Sequence, residues 1–107
     1  KDASDSVSTL HGELKGGAKV ANGRLVLDGK AAFVQTAPLT ADLTEKTLEV
    51  WAVLTDLTSR GGGLITVEAI GGGTFDSIVY GERQPKRWVA GSDFYRRTKD
   101  LAAADET

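Results

Sequence analysis

An all-β, antiparallel fold is what this sequence predicts, and three observations carry the prediction. Thirteen glycines stand against two prolines in 107 residues, and the glycines separate short runs of β-branched and aromatic residues, the punctuation of strands and turns. The clearest of those runs alternate along the chain with a period of two, and no stretch holds a helical period long enough to compete. Turn signals recur at short spacing, which gives roughly seven or eight strands in a sandwich or barrel rather than βαβ units.

The elements follow in order. Residues 1–9 form a polar lead unlike a signal peptide. The first clear unit is Val20 to Asp28, VANGRLVLD, a hairpin about Asn22-Gly23, because a type I′ turn needs positive φ at both central positions. After the Asp28-Gly29 turn, Ala32 to Thr36 offers a short strand that Pro38 ends. Thr40 to Lys46, TADLTEK, carries a capping pattern and predicts one helical turn at most.

From Thr47 to Leu54, TLEVWAVL sets Leu48, Val50, Ala52 and Leu54 on one face and Glu49, Trp51 and Val53 on the other, the best candidate for a central strand. Gly61 to Gly63 is a break, Leu64 to Ile70 a strand, Gly71 to Gly73 a turn and Phe75 to Tyr80 the next strand. The last third is polar and basic, with short strands at Trp88-Val89-Ala90 and Phe94-Tyr95 around a Gly91-Ser92 turn.

Composition narrows the function classes. With 40% hydrophobic and 26% charged residues, the chain reads as one globular domain. Thirteen Lys and Arg against fifteen Asp and Glu leave a net charge of -2, so no global attraction to nucleic acid or anionic lipid is expected. Without cysteine there is neither a disulfide framework nor a thiolate metal site. No apolar run approaches the roughly 18 residues that span a bilayer, so membrane insertion is not expected. Leu101 to Thr107, polar and alanine-rich, offers no closing strand, as expected of a piece of a longer polypeptide.

Taken together, His11-Gly12, Gly16-Gly17-Ala18, Asn22-Gly23, Leu27-Asp28-Gly29 and Thr47-Leu48-Glu49-Val50-Trp51 resemble the signature of the N-terminal half of bacterial laminin-G-like domains, members of the concanavalin-A-like lectin and glucanase superfamily. The stretch from Arg60 to Ser92 looks like the version found in planctomycete-type multidomain proteins. The resemblance spans residues 10–98, with the polar lead before it and a truncated polar tail, residues 99–107, after it. It implies an antiparallel β-sandwich of jelly-roll type, incomplete because the late strands are missing. Unpaired edges would then favour self-association, or order only within the parent protein.

The function implied is a non-catalytic carbohydrate- or protein-binding module of a larger bacterial cell-envelope or secreted protein, and the location implied is extracytoplasmic. Alternatives are a spacer without ligand and a fragment of a glycoside hydrolase. Hydrolases of this superfamily place two Glu on one strand so that one protonates while the other attacks. That motif is not in the sequence, and Glu49, Asp56, Glu68, Asp76 and Glu82 fall on different predicted elements, so no enzyme is expected. Many laminin-G-like domains bind calcium. Asp28, Asp42, Asp76 and Asp93 sit at turns or strand ends, but their spacing forms no contiguous ligand loop, so no cofactor is expected and calcium is the alternative.

His11 is the sole histidine, and a structural hydrogen bond near a turn is the expectation for it. The two triglycines lack the Gly-Lys-Ser/Thr ending of a phosphate loop and read as turns. The cluster from Arg83 to Lys99 interleaves cations with aromatics, the pairing that stacks on sugar rings and offers forked donors to hydroxyls or acids. Arg87, Trp88, Phe94, Tyr95 and Arg97 are the candidate contact set for a glycan or protein ligand. The competing reading makes Trp88 and Phe94 core anchors and pairs the arginines with Glu82, Asp93 and Asp100. Trp51, opposite Leu48 and Val50, faces an open sheet surface, a neighbouring domain or a covering loop.

Overall fold

The computed structural model describes residues 2–91. Among them lie seven strands and no helix, and every strand pairing is antiparallel. The described backbone gathers into two units, which divide between Thr44 and Glu45.

In the first unit, β1 (Gly12–Lys15) pairs with β4 (Phe33–Thr36), with Gly12 opposite Thr36 and Lys15 opposite Phe33. Between them in sequence, β2 (Lys19–Ala21) and β3 (Arg24–Val26) form a separate hairpin. Its turn is the expected one, since Asn22 and Gly23 have φ of 51° and 72°, the left-handed pair that a type I′ connection requires. Strand β1 went unread in the sequence because Gly-Glu-Leu-Lys carries one apolar side chain and little β propensity. Its partner strand supplies the ladder.

The polar lead also has structure. The Ala3 carbonyl accepts from the Gly12 N–H at 2.8 Å. Asp5 gathers the N–H groups of Val7, Ser8 and Leu10. Further on, one oxygen of Asp28 accepts from the N–H groups of Lys30, Ala31 and Ala32 and fixes the approach to β4.

The second unit is built on a three-stranded sheet, β5 (Gly62–Glu68), β6 (Phe75–Tyr80) and β7 (Trp88–Gly91), with β6 in the middle. Strand β5 begins two residues before the leucine that opens it in the sequence reading, and its register slips between Gly63 and Ile65. The turn at Gly71 to Gly73 is closed by the Gly72 N–H on the Ala69 carbonyl. Because β6 has a neighbour on each side, Ser77, Val79 and Tyr80 are buried there, joined by Val89 from β7.

Two expectations are corrected. Thr40 to Lys46 makes bends and no helical turn. A capping pattern satisfies amides at the start of a helix but cannot nucleate one without an apolar face to bury. Thr47 to Leu54 is not a strand either. Alternation sets which face a strand would bury, whereas the strand exists only when a neighbour completes its hydrogen bonds, and among the described residues no strand pairs with this segment.

Candidate interaction site

Burial in this protein is concentrated, and what stays outside defines the candidate site. Among the described residues Val79, Tyr80 and Val89 are the buried apolar side chains, while Val50, Trp51 and Val53 all lie in solvent. Trp51 is 92% exposed and Val53 71%. Leu48 and Leu54, on the other face of the alternating pattern, are half-buried. The segment therefore turns one apolar stripe partly toward its own unit and sets an aromatic ring in water.

Both ends of this segment are anchored to β6. Lys46 forms an ion pair with Asp76 near the start of that strand. At its end, the Tyr80 hydroxyl donates to the Leu57 carbonyl at 2.9 Å. The turn between is set by Asp56, which accepts from the N–H and hydroxyl of Thr58 and from the Ser59 hydroxyl. These bonds hold the Asp56 carboxyl below the ordinary aspartate range, the Thr58 side chain contributing most. Arg60 follows, its Nε donating to the Gly81 carbonyl at 2.6 Å.

The region of the sequence-predicted contact set is only partly described. Trp88 is half-buried and meets the ring of the fully buried Tyr80 edge to face, centroids 5.0 Å apart. Arg87 is exposed beside it, and its carbonyl accepts from the Gly81 N–H at 2.8 Å. Phe94, Tyr95 and Arg97 lie outside the described residues, which leaves Arg87 and Trp88, neighbours in the sequence, as the described members of the set. Packing on Tyr80 gives Trp88 the anchoring task that competes with ligand stacking.

His11 takes the structural hydrogen bond expected of it, its Nδ1 accepting from the Asp5 N–H at 3.0 Å. Of the aspartates considered for calcium, Asp28 and Asp76 have partners of their own, Asp42 is exposed and Asp93 lies outside the described residues. Asp28 is filled by three amides and Asp76 faces Lys46. Among the described residues no three His, Asp or Glu side chains gather. The signal missed in the sequence is Asp5, an aspartate just before Ser6 and Ser8, the short polar composition from which Asx turns form.

Among the described residues, fold and site define an all-β, antiparallel arrangement with a sparse core and an exposed aromatic segment. Among its described residues no helix is long and apolar enough to cross a membrane. No family model matches the chain, and comparison with curated proteins and with solved structures gives no match.

Proposed function

We propose that this chain is a non-catalytic recognition module, a laminin-G-like sandwich of jelly-roll type within a larger bacterial envelope or secreted protein, and that it binds a protein partner through residues 47–54. The observation that carries this reading is the exposure of Trp51 and Val53 on a segment patterned as a strand but left without a ladder among the described residues. Large apolar side chains in water, set in an alternating row, suit a partner that adds a strand: the main chain supplies affinity and alternate side chains supply specificity. Glycan recognition through Arg87 and Trp88 is the second reading, favoured by their adjacency and weakened by the packing of Trp88 on Tyr80.

Two probes separate these readings, and both use the full chain. Short synthetic peptides of alternating apolar and polar residues are expected to bind and to move tryptophan emission to the blue, an effect lost in Trp51→Ser. A glycan array is expected to stay blank. Array binding that Arg87→Ala removes would replace the protein partner by a sugar, and silence in both assays would leave the spacer.

A further inference from the structure

Resting on that reading, we infer that the partner of residues 47–54 is a second copy of this chain, paired antiparallel about a twofold axis at Trp51. The segment Lys46-Thr47-Leu48-Glu49-Val50-Trp51-Ala52-Val53-Leu54-Thr55-Asp56 is nearly palindromic in chemistry about that tryptophan, Glu49 opposite Val53 being the one mismatched pair. Folded onto its own copy, it sets Val50 against Ala52, Leu48 against Leu54 and Thr47 against Thr55, with the two Trp51 side chains on the axis. Lys46 then faces Asp56 of the other copy, and symmetry repeats that pair at the far end.

Charge selects this register. A slip of two residues one way sets Lys46 against Leu54, and a slip the other way sets Leu48 against Asp56. Parallel pairing in register sets Lys46 against Lys46 and Asp56 against Asp56, which repel. Of these arrangements, the antiparallel one centred on Trp51 sets cation against anion at both ends, with Thr47 on Thr55, Leu48 on Leu54 and Val50 on Ala52 between them. The Tyr80 hydroxyl on the Leu57 carbonyl holds the end of the segment, so part of the ordering cost of adding a strand is met before the copies meet. Because the interface is isologous, it closes at two chains.

The test is light scattering on the eluting chain across the micromolar range, with hydrogen exchange at residues 47–55. The expected result is a concentration-dependent shift to twice the monomer mass, with those amides protected only in the heavier species. Lys46→Asp and Asp56→Lys each place like charges across the pair and are expected to weaken association about tenfold or more. An equal mixture of the two variants restores both attractive pairs and is expected to associate more tightly than either variant alone. Trp51→Ser, which removes a side chain that is 92% exposed, should keep the fold and lose the dimer.

A wild type that stays monomeric, variants that associate unchanged, a mixture no tighter than either variant alone, or open-ended assembly would each overturn the inference. Failure here is distinguishable from failure of the recognition reading. A monomer that still binds extended peptides through Trp51 has another protein as its partner. One that binds neither has none at this segment.

Discussion

Strand β6 and residues 47–54 belong to the same unit, and both are rich in β-branched and aromatic side chains, but they end in opposite states. Phe75 to Tyr80 has a partner strand on each side, buries Ser77, Val79 and Tyr80, and aims the Tyr80 hydroxyl at the Leu57 carbonyl. Thr47 to Leu54, with the cleaner apolar alternation, has no ladder among the described residues and leaves Trp51 in water. The difference lies in neighbours rather than in propensity. A strand on its own satisfies none of its amides, so β6 is a strand because β5 and β7 complete it.

Truncating an aromatic residue in each region should break the comparison most sharply. Tyr80→Ala removes the most deeply buried side chain of the sheet, 1% exposed, together with its bond to Leu57, and is expected to cost about 3–5 kcal/mol. Trp51→Ala in the monomer should stay within about 0.5 kcal/mol of the parent. Chemical denaturation of the two variants, followed by circular dichroism of the sheet, reads both values. Similar losses would mean that Trp51 supports the unit from which it points away.

A smaller effect tests the tie between the regions. Gly81 holds φ of +68°, and a Cβ there would meet the Ser59 carbonyl oxygen at 2.7 Å, beside the Arg60 bond to Gly81. The left-handed conformation alone disfavours Gly81→Ala by about 1–2 kcal/mol, and the close approach adds to it. The same denaturation measurement checks this, and a neutral result would mean that the connection from β6 to β7 relaxes freely.

Acid should act mildly, and on the loops rather than on β6. Asp5, Asp28 and Asp56 are held below the ordinary aspartate value by amide and hydroxyl donors, led by Val7 for Asp5, by Ala32 for Asp28 and by the Thr58 side chain for Asp56. Groups depressed in this way contribute stability that is in place above the unfolded aspartate pKa. It is lost as pH falls through their lower folded values. Exchange protection of the Lys30, Ala31 and Ala32 amides should decline over that acid range. Asp28→Asn, uncharged throughout, should lower protection at neutral pH and flatten the decline.

What the sequence made legible was set by local backbone demands. Asn22-Gly23 was readable because left-handed φ at two successive positions leaves few residue choices, and the bounds of β6 were readable because Gly73 and Gly81 bracket an apolar run. Strand β1, exposed along Glu13 and Leu14, had no such signal and owes its existence to a distant partner. Pattern failed in the opposite sense at 47–54, where alternation was complete and the partner was missing from the described residues. Of the contact set, Arg87 and Trp88 are the described members, and the packing of Trp88 turned on Tyr80, a neighbour across the sheet that no spacing rule supplies.

The polar lead has a practical consequence for handling this protein. A boundary drawn at residue 10, where the recognisable pattern begins, would discard Ala3 and Asp5. The first amide of β1 would lose its acceptor, and the His11 ring would lose the N–H that orients it. Affinity tags and protease sites therefore belong ahead of residue 2, and a trimming protease that reached Leu10 would be expected to loosen β1 from its outer end inward.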